Sequence, residues 1–267
     1  MAVLTVSRQF GSGGREIGRR VADDLSYAYI DRDRILNDIR AAGDKWEKWG
    51  KDLFEHCPTI WERYDWSFRG FGALLQSAVL NYATNDRVVI IGVGANFLLK
   101  GIPHVLTIYA VGPLESRVEK VMQRDEVDRK TAQWLIEKKD GGRSCWIRSL
   151  YSKHWENYEE YDLVLDMGIQ TPDEAIERVK TILQEKDRFA NEETRELVRM
   201  RAAAARIKAG LCVNPSIQAS TLDVVYDGGC VVLRGIVRSP KERTHIEEAA
   251  AALAADLPLR NELHYRV

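Results

Sequence analysis

The sequence predicts an α/β protein: a doubly wound parallel sheet followed by a smaller α/β unit. Three observations carry this. Short β-branched runs alternate with amphipathic helical stretches over the first two thirds of the chain, the alternation that puts helices on both faces of a parallel sheet. The first run feeds a glycine-rich turn that opens directly into a helix. After Pro215 the pattern changes to two strand-like runs, a helix and a last strand.

The elements follow in order. Leu4–Ser7 is a strand running into Arg8-Gln9-Phe10-Gly11-Ser12-Gly13-Gly14, after which Ile17, Val21 and Leu25 recur on one helix face. Tyr27–Asp31 reads as a second short strand. From Arg32 to Ala83 the chain is polar and helical, and Trp46, Trp49, Trp61 and Trp66 are expected to pack within this insert rather than to stack on a base. Val88–Ile91, ending in Gly92, and Val105–Val111 are strands of the kind buried on both faces. A helix through Leu114, Val118 and Val121 follows Pro113. Leu163–Leu165 is a further strand, and Thr171-Pro172-Asp173-Glu174 starts a helix with Thr171 as N-cap and Pro172 at its first position.

Residues 184–208 are charged, then Ala-rich, and read as a connecting helix. Leu222–Tyr226 and Cys230–Val237 flank Asp227-Gly228-Gly229, a hairpin signal. Ser239-Pro240-Lys241-Glu242 reads as a capping box, and Leu259–Val267 as the last strand. The expected division is 1–185 for the large domain, 186–202 for the connector and 203–267 for the small module.

Composition excludes several classes. The 39 Lys+Arg balance 40 Asp+Glu, which argues against a generic nucleic-acid or polybasic membrane binder. No apolar run approaches the roughly 20 residues of a membrane helix. The N-terminus is not patterned as a signal peptide. Cys57, Cys145, Cys212 and Cys230 are far apart and form no CxxC pair, so a reducing compartment, the cytoplasm, is expected, with neither a disulfide framework nor a zinc site. The histidines show no metal-binding spacing.

A strand, glycine turn and helix form an anion site, because converging backbone N–H groups and the helix dipole both favour negative charge. Against G-x-x-x-x-G-K-[ST], with Gly13 as the last glycine, this chain has Arg8, Gly14 and Arg15 where the first Gly, the Lys and the Ser/Thr belong. By pattern alone a phosphate cradle and a plain packing turn are both open.

The whole segment is more specific. Val6-Ser7-Arg8-Gln9-Phe10-Gly11-Ser12-Gly13-Gly14-Arg15-Glu16-Ile17-Gly18 resembles the opening of the cytidylate kinase-like P-loop family, S-R-Q-x-G-S-G-G-x-x-I-G. Tyr29-Ile30-Asp31, Val89-Ile90-Ile91-Gly92-Val93-Gly94-Ala95, Lys139-Asp140-Gly141-Gly142-Arg143 and Tyr161–Leu165 resemble its later landmarks, so the resemblance runs in order over residues 3–185. It implies a P-loop NTPase-type, nucleoside monophosphate kinase-like sheet with an acceptor-binding insert and an Arg-bearing lid. The implied reaction is γ-phosphoryl transfer from ATP, with Mg²⁺, to CMP or a related monophosphate.

Under that resemblance Gly11, Ser12, Gly13 and Gly14 cradle phosphate, and Arg15 replaces the missing Lys or is a plain first-turn Arg. Glu16 orients Mg²⁺ or, as is favoured, serves the helix N-terminus. Asp140, Arg143 and Arg148 fall in a Gly-containing segment between two helical stretches, the place of a lid, with Arg143 and Arg148 as transition-state cations. Arg124 and Arg129 are expected on helix surfaces. Asp31 and Gly92 belong to the acceptor side. Val93 departs from the family's Arg; losing one charge-assisted bond costs about 1.5–3 kcal/mol. Either Arg63 or Arg69 compensates, or acceptor binding is altered. Three readings therefore stand: a nucleotide kinase, a weakly active nucleotide sensor, and a phosphotransferase with a non-nucleotide acceptor.

Residues 203–267 resemble a BON domain through Gly229–Val237, a G-x-V-x-L-x-G-x-V run, and the helix after Ser239. Val231, Leu233 and Val237 would be covered by Ile246, Ala250 and Leu253. The resemblance implies a protein or lipid partner; a structural appendage is the alternative.

Overall fold

The computed structural model describes residues 1–217, 219 and 221–265. Its elements run β1 (Val3–Arg8), α1 (Gly14–Leu25), β2 (Ala28–Ile30), α2 (Arg32–Ala41), α3 (Glu47–Asp52), α4 (Ile60–Tyr64), α5 (Trp66–Ala83), β3 (Val88–Ile91), α6 (Ala95–Leu98) and β4 (Val105–Val111). They continue with α7 (Leu114–Asp125), α8 (Arg129–Tyr151), β5 (Leu163–Asp166), α9 (Pro172–Asp187), α10 (Glu192–Val213), β6 (Asp223–Asp227), β7 (Cys230–Val237), α11 (Pro240–Ala254) and β8 (Leu259–Tyr265).

The first five strands form one parallel sheet in the order β2-β3-β1-β4-β5. The expected doubly wound architecture follows from period two along buried strands. Val3, Val88, Ile90 and Val105 face α2 and α5, whereas Leu4, Val6, Val89, Ile91 and Leu106 face α1 and α9. Trp46 and Trp49 fill the first of these cores, as expected of insert packing; Trp61 is exposed. Because β1 lies between β3 and β4, its carboxyl end opens at the point where the strand order reverses, the usual ligand crevice of such sheets.

The small module has a second sheet, β6-β7-β8, with β6 antiparallel and β8 parallel to β7. Asp227 pairs with Cys230, and Gly228 and Gly229 both take positive φ, which a two-residue primed turn demands. Val231, Leu233, Val237, Ile246 and Ala250 are buried together as expected. Leu253 instead stays partly exposed and lies across Gly210 of α10, where a Cβ would fall 2.6 Å from its methyl carbon. The capping box at Ser239 is half formed: Ser239 accepts from the Glu242 amide, but the Glu242 carboxylate takes the Arg238 amide. The final strand is described as far as Tyr265, so its last two expected residues lie outside the described residues.

Helix α10 serves both cores. Val198 and Ala205 pack into the core that α5 shares with the large sheet, and Ala204, Ile207 and Leu211 pack into that of the small module. Arg69 of α5 adds a tie, donating from Nη2 to the Ala219 carbonyl at 2.9 Å.

Two expectations are corrected. The segment around Gly141-Gly142 is not a loop between helices but the middle of the continuous helix α8. Two glycines weaken a helix interior by about 1 kcal/mol each, and here Gly142 has a packing reason: a Cβ would fall 3.0 Å from the Phe54 carbonyl carbon. The cysteines are not all free thiols either. Cys57 and Cys145, 88 residues apart, are disulfide-bonded with their Cα atoms 5.7 Å apart. Spacing conceals such a pair, because it forms where α8 crosses the segment between α3 and α4. The inference of a reducing compartment from isolated thiols loses its basis. No helix among the described residues is long and apolar enough to cross a membrane.

Candidate active site

The loop between β1 and α1 is built by its glycines. Gly11 (φ +80°) and Gly13 (φ +87°) occupy the left-handed region, which an L side chain enters at a cost. Gly14 is needed for closeness: a Cβ there would sit 2.7 Å from Arg8 Cβ and 2.8 Å from Ala110 Cβ. Ser12 is buried and its Oγ donates to the Gln9 carbonyl at 2.9 Å, so its hydroxyl closes the turn. The Gln9 side chain accepts from the Gly112 amide at 3.0 Å and ties the loop to the end of β4. The amides of Gly13, Gly14 and Arg15 have no acceptor among the described residues and stand at the positive end of α1.

These amides border a cavity of 730 Å³ whose charged lining is Arg8, Arg15, Arg19, Lys120, Arg124 and Arg143, with Glu16 as its one carboxylate. Arg124, expected on a helix surface, faces this cavity and lies 4.7 Å over the Phe10 ring. Arg129 is on the surface, paired with Glu115. A second groove of 680 Å³ between α2, α5 and α10 lies away from the glycine loop.

Helix α8 is joined to the loop through Asp140. Its carboxylate accepts from the Phe10 amide at 2.8 Å, from Arg117 at 2.7 Å and from Arg143 at 3.0 Å. Arg117 also reaches the Phe10 and Gly112 carbonyls. Nothing in the sequence pattern marked Arg117, which is buried beneath the loop and fixes Asp140. Arg143 donates to the Arg8 carbonyl at 3.1 Å.

Arg8 is the electrostatic oddity. Burial, and secondly the Arg143 charge, bring its guanidinium down to about 9. Burial also lowers Arg143, partly offset by Asp140. Among the described residues Arg8 makes no ion pair. Its head group lies over Gly92, where a Cβ would fall 3.3 Å from Arg8 Cζ; this close approach is what Gly92 provides.

A smaller cavity of 190 Å³ adjoins on the insert side and contains Asp31, Phe54, Glu55 and Lys139. Arg8, Phe10, Arg15 and Arg143 line both cavities and so stand at their junction. Asp31 caps α2, accepting from the Arg34 amide, and pairs with Arg15 at 2.9 Å.

The remaining expected residues lie elsewhere. Arg148 is exposed on α8 and borders neither cavity. Arg63 donates to the Pro58 carbonyl and Arg69 to Ala219, so neither takes the place of the absent Arg at position 93. Val93 itself is buried with φ +52°, an unusual conformation for a β-branched residue, and its carbonyl accepts from Tyr151 Oη at 2.6 Å.

Residues 3–169 match the cytidylate kinase-like family. The chain belongs to this family. Residues 201–267 match the BON domain. A cytidylate kinase of Ignicoccus hospitalis is 22% identical over 183 residues, covering 68% of this chain and 99% of the relative. One from Pyrobaculum calidifontis is 26% identical over 166 residues, covering 62% and 84%. An uncharacterized protein from Eubacterium ventriosum shares the fold, with a TM-score of 0.52 at 18% identity over 69% of this chain and 99% of its own.

Proposed function

We propose that this chain transfers the γ-phosphoryl group of ATP to a nucleoside monophosphate of the CMP type or a related small acceptor. The observation that carries the reading is Arg8, a half-buried cation without an ion pair among the described residues, at the junction of two cavities and beside unpaired loop amides. A cation drawn part-way out of water without a partner is costly unless a ligand supplies one. The kinship with cytidylate kinases supports the choice of chemistry.

In this reading the amides of Gly13, Gly14 and Arg15 hold the donor's terminal phosphates in the larger cavity. Arg8 and Arg143 lie at the transferring group, where fixed positive charge lowers the barrier without reorganisation. Asp140 holds Arg143 and the loop in register. Asp31 sits on the acceptor side and positions Arg15. The residues fit Mg²⁺ as a companion of ATP. The ion commonly takes one or two protein carboxylates, the rest of its shell coming from phosphates and water. Glu16 is the carboxylate facing the cavity, and no group of three metal-ligating side chains exists among the described residues. Mg²⁺ would supply neutralisation of the phosphate charge.

The sensor reading is favoured by one feature: the acceptor-side cavity, at 190 Å³, is below the roughly 300–1,000 Å³ of ordinary ligand sites. There the BON module would report ATP occupancy to a protein or lipid partner. The deciding experiment measures ATP consumption with Mg²⁺ over nucleoside monophosphates, nucleosides and small metabolites, repeated with Arg143→Ala. Turnover with an acceptor, lost in the variant, is expected. ATP binding without turnover on any acceptor would leave the sensor.

A further inference from the structure

Residues 54–57, between α3 and α4, are fastened to a single face of α8, and the first two, Phe54 and Glu55, line the acceptor-side cavity. Lys139 pairs with Glu55, and Trp146 Nε1 donates to the His56 carbonyl at 2.6 Å. Gly142 lies against the Phe54 carbonyl, and Cys145 is bonded to Cys57. Only the last of these is covalent. The two sides differ in how firmly they are held. Trp146 is fully buried among Trp49, Phe68 and Phe71, which pins this stretch of α8 in the core. The strip is anchored at its ends by buried Leu53 and buried Pro58, and at its start by half-buried Phe54, whose ring stands edge-on to Trp146. Between them His56 and Cys57 are exposed, and Phe54 takes φ +68°.

We propose that the Cys57–Cys145 disulfide is a reversible, thiol-sensitive latch on the acceptor cavity. Intact, it keeps the 54–57 strip closed on α8. Cys57 is an exposed residue that an attacking thiolate can approach, and a dithiol reductant breaks the S–S bond in two exchange steps. Two electrons and two protons pass to the cysteine pair, both sulfurs end as thiols, and the reductant leaves as its own disulfide. The strip then keeps only non-covalent ties, the Phe54 packing on Trp146, the Glu55 ion pairs with Lys139 and Arg32 and the His56 hydrogen bond, and its exposed end moves off α8, widening the 190 Å³ cavity for a larger acceptor. The proposal rests on the reading of this cavity as the acceptor side, not on which acceptor enters it.

The test uses the full chain. Non-reducing peptide mapping locates the cross-link. Amide hydrogen exchange is then compared for the oxidised protein, the protein in excess dithiothreitol, and the Cys57→Ser and Cys145→Ser variants. Exchange in residues 53–59 is expected to speed about tenfold or more in all three opened forms. The β1–β4 peptides should keep their protection, and glutathione disulfide should restore the slow exchange in the reduced wild type. Free thiols at Cys57 and Cys145 under oxidising conditions overturn the latch. So does unchanged exchange in the strip, and so does loss of protection throughout the fold, which marks a structural staple. CMP binding, measured alongside, should strengthen on reduction. If exchange responds while CMP never binds, the latch stands and the CMP-type acceptor reading fails.

Discussion

Gly92→Ala separates the stability of the fold from its affinity for phosphate. The glycine takes φ +73°, and an added Cβ would overlap the Arg8 guanidinium, 3.3 Å from its Cζ. An L residue in the left-handed region costs about 1–2 kcal/mol. The overlap adds little to that, because the obstructed atoms are the far end of a flexible side chain. The expected loss is therefore about 1–2 kcal/mol, or about 2–8 °C in thermal midpoint for a domain of this size. Affinity responds through Arg8. Displacing its guanidinium removes a charge-assisted bond worth about 1.5–3 kcal/mol, so ATP binding weakens about ten- to one-hundred-fold. Calorimetric titration of ATP and thermal denaturation read the two effects separately. Arg8→Met should weaken ATP equally while leaving stability unchanged or slightly higher, because a half-buried charge without an ion pair is gone. The double variant should bind no worse than either single one. Additive losses in the double variant, or normal affinity in Gly92→Ala, would refute the placement of Arg8 at the phosphate.

Three further outcomes are expected. Gly14→Ala forces a Cβ within 2.8 Å of both Arg8 Cβ and Ala110 Cβ, which are rigid positions, and should cost about 1–3 kcal/mol in chemical denaturation. Arg148→Ala should leave ATP affinity unchanged by titration, whereas Arg143→Ala should weaken it; equal losses would restore Arg148 to the site. Burial holds His104 below its ordinary value of 6.5, with Asp86, 3.8 Å away, opposing and Arg195 reinforcing the shift. Below pH 6.5 the unfolded chain therefore binds a proton that the folded chain refuses. Stability should fall as pH drops below that value, and His104→Gln should flatten the slope above the carboxylate range; an unchanged slope would assign it to other groups.

Legibility in the sequence followed the range of the forces involved. The glycine loop, the strands and the Thr171 and Gly228-Gly229 signals are local, since φ, caps and alternation act within a few residues. Asp140 and Arg143 enter instead through the resemblance of Lys139–Arg143 to the family's lid segment, since no local signal singles them out. Reading Gly141-Gly142 as a loop hid the helical phase: Arg143 and Arg148 are five residues apart, so about 140° separates them around α8 and they cannot face one cleft. Asp140, Arg143 and Ile147, by contrast, share a face. The disulfide, the Arg117 brace beneath the loop and the Arg69 tie are contacts between segments distant in sequence. No local pattern marks them, because tertiary packing alone brings the partners together.

The shared helix α10 also bears on how the polypeptide is made. A ribosome releases the large sheet and its glycine loop well before residue 213, yet the α5 face of that domain lacks its cover until α10 has emerged. Nascent chains halted near residue 185 would carry a complete phosphate loop beside an uncovered apolar flank. They would be natural clients for a chaperone, and the last eighty residues would complete the large domain during synthesis rather than hang from it as a tail.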